Sequence, residues 1–132
     1  MSVENAQDWE KRLARKAFAV SLVRDRLGCG CPEEVFNNYR VNQHEVASIP
    51  LTQLIMGDRL LVWIVDGERM ANPTSNGPDL IRKGRDERER RGLNRFRLVW
   101  VAHALDPSLA SHLIRTADRL GPRVHFHHLR VL

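Results

Sequence analysis

Cysteine, lysine, aromatic residues and long apolar runs are all scarce in this chain, and each scarcity removes a class of protein. Two cysteines in 132 residues are too few for the disulfide framework that staples small secreted domains. No apolar stretch approaches the roughly 18 residues of a membrane-spanning helix. The longest, Leu60-Leu61-Val62-Trp63-Ile64-Val65, has the length of a buried strand. The opening Met-Ser-Val-Glu-Asn lacks the basic-then-apolar order of a secretory signal, so the sequence reads as cytoplasmic, with no membrane segment. Lys11, Lys16 and Lys83 are the only lysines. The carboxylates Asp58, Asp66 and Glu68 around the first strand therefore lack the lysine companion expected of a magnesium-assisted nuclease, and they read as turn residues. There is no Gly-x-Gly-x-x-Gly, no phosphate loop, no Gly-x-Ser-x-Gly and no internal repeat.

What is present describes a basic globular chain. Residues are 42% hydrophobic and 28% charged, with 21 Lys and Arg against 16 Asp and Glu, for a formal charge of +5. One domain over residues 1–132 suits this length, which is enough to bury a core without staples.

The spacing of Trp9, Leu13, Ala17, Val20 and Leu27 predicts one amphipathic helix over 4–27, stopped by Gly28. A short second helix is expected to open at Pro32, with Glu33 and Glu34 in its first turn and Val35, Phe36 and Tyr39 on its apolar side. Residues 40–57 show no clean period, and Pro50 argues against a continuous central strand or helix there. Arg59 to Val65 is apolar on both faces, as in a central strand covered on two sides. Asp66-Gly67 suggests a turn with a short return strand through Met70. Residues 72–78 read as a loop and 79–91 as a charged helix closed by Gly92. Residues 95–104 are a strand, Asp106-Pro107 starts a helix with Leu109, Leu113, Ala117 and Leu120 inward, and 124–129 are another strand. The fold class is thus α/β: a small sheet of three or four strands containing a C-terminal β-α-β unit, with two N-terminal helices packed on it. Trp9, Trp63 and Trp100 read as core residues.

Two features carry chemistry. The first is Cys29-Gly30-Cys31. Free amides opening the second helix would stabilise a thiolate, Cys31 above all, with Cys29 as the resolving or co-ligating sulfur. Arg24 and Arg26 would help that anion, whereas Glu33 and Glu34 would oppose it. Glycine between the two allows the sulfurs to meet, and a disulfide at this spacing should be easily reduced. Two thiolates do not complete a tetrahedral metal site. His125 and His127, two apart on the last strand and so on one face, would complete a zinc or iron–sulfur site if the fold brought them to the cysteines; His44 and His103 are other candidates. The plainer alternatives are small apolar fillers at a helix junction and a solvated polar strand face.

The second feature is the run from Arg82 to Arg97 within a polar segment spanning 79–97. It holds eight basic and three acidic residues, a net +5 equal to that of the whole chain. Arg85, Arg88, Arg90, Arg91 and Arg95 are its candidate contacts to nucleic acid or another anion. Acid-to-base pairs four apart, such as Asp86–Arg90 and Glu87–Arg91, offer instead a self-neutralised solvated helix. Gly84 should weaken that helix. Phe96 alone supplies an aromatic, so no base-stacking surface is indicated.

Function divides accordingly. The leading expectation is a small accessory protein using Cys29 and Cys31 for metal or iron–sulfur handling or for thiol redox. The alternative is a non-catalytic binding module docking nucleic acid or an acidic protein partner. A homodimer would fit an unpaired sheet edge.

Overall fold

The computed structural model describes residues 6–132; Glu4 and Asn5, the expected start of the first helix, lie outside the described residues. The long N-terminal helix is broken into α1 (Ala6–Leu13), α2 (Lys16–Val20) and a π-helical turn, Ser21–Arg26. The reason lies in the apolar spacing. Trp9 and Leu13 are buried, but the next buried side chain is Ala19, then Leu22, Val23 and Leu27. One helix face cannot connect Leu13 to Ala19. Extended backbone at Arg15 (φ −83°, ψ 117°) resets the face, which leaves Ala17 exposed. The wider π turn then lets the adjacent Leu22 and Val23 both face inward.

The expected second helix is a single 3₁₀ segment, Glu33–Asn37, and Pro32 is the extended residue before it. Tyr39 belongs instead to the first strand, from which its hydroxyl donates to the Leu13 carbonyl at 2.9 Å.

Residues 39–56 form a hairpin of β1 (Tyr39–Val46) and β2 (Ile49–Met56). Its turn places Ala47 and Ser48 at positive φ, a conformation normally signalled by Asn or Gly. Pro50 is tolerated because it opposes only Glu45 of β1; pairing of β2 with the next strand begins at Thr52. The sheet therefore has five strands, not three or four, in the order β1-β2-β3-β4-β5. Here β3 is Leu60–Asp66, β4 Arg95–Val101 and β5 Val124–Leu129. The first three strands are antiparallel, and β3, β4 and β5 are parallel. No return strand follows Asp66, where residues 67–69 are turn and bend. The carboxylates there serve local structure: Asp66 accepts the Glu68 amide at 3.1 Å and Glu68 accepts the His103 amide at 2.9 Å.

Helix α3 runs from Pro73 to Arg91, so the stretch read as a loop is its first turns. Pro73 occupies a first-turn position, where no N–H is required. Pro78 forgoes only the bond to the Thr74 carbonyl. The polar, glycine-containing composition is overridden by packing, since Gly77, Pro78, Leu80, Ile81 and Gly84 are buried on the sheet. Helix α4 (Pro107–Arg119) lies beside α3 and buries Leu113, Thr116 and Ala117.

Strand alternation builds a core on each face of the sheet. On one, Leu61, Trp63, Phe96, Leu98 and Trp100 meet α3 and α4. On the other, Leu54, Leu60, Val62, Ile64 and Val99 meet the N-terminal helices and Phe36. All three tryptophans are buried, and Trp63 donates to Gln53 at 3.0 Å.

A Cβ at Gly84 would lie 2.0–2.4 Å from three ring atoms of Phe96, a severe clash. An ordinary Gly→Ala change in a helix interior gains about 1 kcal/mol. Here overpacking dominates, at about 1–3 kcal/mol, and we expect Gly84→Ala to lower the urea unfolding midpoint. A raised midpoint would show that α3 does not rest on that ring.

Candidate functional site

Strand β4 divides the arginine run. Phe96, Leu98 and Trp100 point toward α3 and α4, so Arg95, Arg97, Val99 and Val101 point the other way. On β5, Val124 and Phe126 share the α3/α4 side, and His125 and His127 face the same side as the two arginines. Helix α1 packs on β1 and β2. The β4–β5 half of this face is left with four polar side chains, and the loop after the π turn lies over part of it.

That loop is Gly28-Cys29-Gly30-Cys31. Gly28 takes φ +71°, which turns the chain out of the helix, and the Cys29 amide donates to the Val23 carbonyl at 3.0 Å. The two sulfurs are bonded to each other, at 2.02 Å. Cys29 is 9% exposed and belongs to the apolar core, while Cys31 is half-buried against it. The helix-opening amides expected to activate Cys31 are those of one short 3₁₀ segment, so they do not account for the site. Arg24 and Arg26 are engaged elsewhere: Arg24 lies 4.9 Å over the Phe36 ring and Arg26 donates to the Val131 carbonyl.

What the loop borders is a cleft of about 410 Å³ lined by Gly28, Cys29, Gly30, Cys31, Arg59, Leu60, Asn94, Arg95 and Arg97. Its floor is the start of two parallel strands, held in register where Asn94 and Arg95 both donate to the Arg59 carbonyl at 2.8 and 3.0 Å. Arg97 ties floor to wall. It is 7% exposed, and its Nη1 donates to the Leu27 carbonyl at 3.1 Å and to His127 Nε2 at 2.8 Å. Its Nε has no hydrogen-bond partner among the described residues. Arg95 Nη1 donates to the Pro122 carbonyl at 2.9 Å and to His125 Nε2 at 3.0 Å.

These contacts determine the protonation of the histidines. A guanidinium only donates, so each Nε2 is an acceptor and the ring proton sits on Nδ1. Burial, then Arg97, then His125 push His127 down to about 4. Burial and the two arginines also lower His125, against a small opposing pull from Asp118. Burial and the neighbouring Arg95 lower the pKa of Arg97 itself. Among the described residues that line the cleft there is no carboxylate.

The remaining cations of the run are elsewhere and largely neutralised. Lys83 pairs with Asp79 at 2.7 Å, Arg85 with Asp86 at 2.7 Å, and Arg90 and Arg91 both with Glu87. Burial raises the Glu87 pKa, but Arg91 and Arg90 outweigh it and hold the carboxyl below its usual range. Arg88 is largely buried and donates to the carbonyls of Leu93 and Asn94 at 3.4 and 3.3 Å, closing the helix end. Arg85, Arg88, Arg90 and Arg91 thus sit on α3, on the opposite side of the sheet from Arg95, and the five do not form one patch.

The proposed metal set is not assembled either. Among the described residues no three His, Cys, Asp or Glu side chains are placed to hold a metal ion. The sulfurs bond each other, and the Nε2 lone pairs of His125 and His127 are occupied by arginine N–H groups. His44 is exposed on β1 and His103 is exposed beyond β4. His128 lies on the other face, with Nε2 2.8 Å from the Ala102 carbonyl. No helix among the described residues is long and apolar enough to cross a membrane. The sequence does not single out Arg59, and it presents Arg97 as the end of a basic tract and as a residue of the strand begun at Arg95. The available signal was period two: Arg95 and Arg97 alternate with apolar residues just as His125 and His127 do.

No protein-family model matches the chain, and no curated protein matches it. The site is therefore read from its own chemistry.

An unfolded histidine takes its proton near pH 6.5, the folded His127 only near about 4. Between these values the unfolded state holds the extra proton, so stability falls as pH drops through that window. We expect the urea midpoint to decline from pH 7 to pH 4.5, and His127→Gln, which keeps an acceptor for Arg97, to decline less. Parallel curves for the two proteins would contradict this assignment.

Proposed function

We propose that this chain is a small thiol–disulfide exchange protein whose working pair is Cys29 and Cys31. The observation that carries the reading is a bonded Cys-Gly-Cys pair at the edge of a cleft where arginines are the only charged residues among its described lining. Positive charge favours a thiolate over a thiol, and a disulfide that is cycled is the kind a reducing cytoplasm admits.

The unequal burial of the two sulfurs assigns their roles. An incoming thiolate attacks the more exposed Cys31 sulfur. The bond between the cysteines breaks, its electron pair leaves on Cys29, and a mixed disulfide forms at Cys31. A second external thiol attacks the sulfur of the first external thiol in that mixed disulfide. This releases an external disulfide and the Cys31 thiolate. Two external thiols are oxidised, the protein disulfide is reduced to a dithiol, and the thiol protons pass to the protein sulfurs and solvent. In reverse, Cys29 is the resolving group. The arginines touch neither bond change; they lower the cost of anionic sulfur.

The docking alternative draws less support, because five of the six α3 cations from Arg82 on are paired within their own helix, and only Arg82, Arg95 and Arg97 of the run are in no ion pair among the described residues.

In graded glutathione buffers, alkylation followed by mass spectrometry should show both thiols titrating together as one two-electron couple. In Cys29→Ser, Cys31 should alkylate at pH 7 roughly five- to tenfold faster than an unperturbed cysteine, whose pKa is about 8.5. Adding Arg59→Ala should slow it. Ordinary alkylation rates, or a bond that neither opens nor re-forms across the buffer series, would remove the proposal.

A further inference from the structure

The arginine side of the cleft raises a question that sulfur chemistry leaves open. Arg97 is 7% exposed, and burying a guanidinium without a counter-charge is strongly unfavourable. Its partners are a carbonyl oxygen and a neutral imidazole, and its Nε has none among the described residues. Arg59 and Arg95 line the same space. Among the described residues, none of the three forms an ion pair with a carboxylate. This is unlike α3, where acid and base alternate. Three guanidinium groups line one cleft, and none of its described lining residues is a carboxylate; the nearby Asp118 exerts only a small pull, at His125.

We propose that the cleft is a binding site for a phosphate-type oxyanion, held by Arg59, Arg95 and Arg97 with Asn94 at its edge. The guanidinium fork matches tetrahedral oxyanions in geometry as well as charge. Arg59 and Arg95 lie at the start of adjacent parallel strands, where Leu60 pairs with Arg95, so backbone register fixes their spacing. Arg97 is fixed more firmly still by its two hydrogen bonds. Such preorganised donors lose little freedom when a ligand arrives. A volume of about 410 Å³ falls in the range of small-molecule sites, about 300–1,000 Å³. The space therefore accommodates a phosphate carried on a small organic group, with Leu60 and the cysteine loop against the remainder. The alternative destination of the positive charge, a nucleic-acid backbone, would need the α3 cations on the same surface, and they lie across the sheet.

Anion binding at this site does not require the cysteines, although both draw on the same arginines. Titration calorimetry at constant ionic strength would use inorganic phosphate and phenyl phosphate as probes, with acetate as the comparison anion. We expect saturable one-to-one binding of phosphate, of phenyl phosphate or of both, and tenfold or weaker binding of acetate. Tighter binding of the ester would place the natural ligand among phosphate esters, and equal or tighter binding of the inorganic ion among free oxyanions. Arg59→Ala removes an exposed side chain and should weaken binding tenfold or more without loss of fold, and Arg95→Ala should do the same. Arg90→Ala removes an equal charge from α3 and should change affinity less than twofold. Cys29→Ser/Cys31→Ser should still bind, so loss of redox activity and loss of anion binding are separable. Non-saturable heats with both phosphates, or an Arg90→Ala effect as large as that of Arg59→Ala, would overturn the assignment.

Discussion

The hydrogen bond from Arg97 to the Leu27 carbonyl joins the parts of this molecule that matter for chemistry. It links the end of the N-terminal helical region, where four residues later the cysteine pair ends, to the middle of the parallel sheet. Arg97 reaches that carbonyl because β4 is pleated. The same alternation that sends Phe96 and Leu98 into the α3/α4 core sends Arg95 and Arg97 to the opposite face. A change of one residue in register would exchange the two sets and bury both charges beneath the helices. The site is thus a consequence of strand geometry rather than of loop conformation, and its wall is tied to its floor by a charged group in a largely dry setting.

The histidines complete this arrangement. The parallel register sets Arg97 opposite His125 and Val99 opposite His127, so Arg95–His125 and Arg97–His127 are diagonal contacts between residues two positions offset on one face. Each ring accepts from a cation, and burial together with that cation keeps it neutral. The cluster carries the charge of its arginines, against which Asp118 exerts a small pull at His125. That favours anionic ligands and opposes a metal cation, which would need the same Nε2 lone pairs and would meet the guanidinium groups at close range.

Much of the architecture was legible because period and punctuation agreed. The strand at 60–66, the helix opened by Asp106-Pro107 and the last strand were each readable from alternation, caps and breakers. The 39–56 hairpin was hidden by a turn of Ala47 and Ser48 and by Pro50, whose missing donor is harmless only because β3 does not extend beside it. The first turns of α3 were hidden because Pro73, Gly77 and Pro78 look like breakers in sequence, whereas in the fold Gly77 lets the helix lie close on Leu113 and Trp100, as Gly84 does further along on Phe96. The cysteine pair and the shared face of His125 and His127 were legible locally. Their relation to Arg59, Arg95 and Arg97 was not, because it depends on the order of five strands, and strand order leaves no local trace. Counting Arg82–Arg97 as one basic tract obscured it further, since the helix-to-strand change at Gly92–Arg95 sends its two ends to opposite sides of the sheet.

The thiol and anion readings meet in the electrostatics of one cleft. A disulfide is neutral, and reducing it creates up to two sulfur anions at the wall facing Arg59, Arg95 and Arg97. A thiolate there and a phosphate on the floor draw on the same positive field, so each lowers the other's gain. By reciprocity of linked equilibria, an oxyanion that binds the disulfide form more tightly than the dithiolate form must shift the cysteines toward the disulfide by an equal factor. The coupling acts through charge and requires no movement of the chain. Its size is limited by the exposure of Cys31 and Arg59 to water, which screens them, and it is strongest through Arg97, the least solvated of the three. The residue that anchors the cysteine loop to the sheet is therefore also the one through which the two chemistries would sense each other.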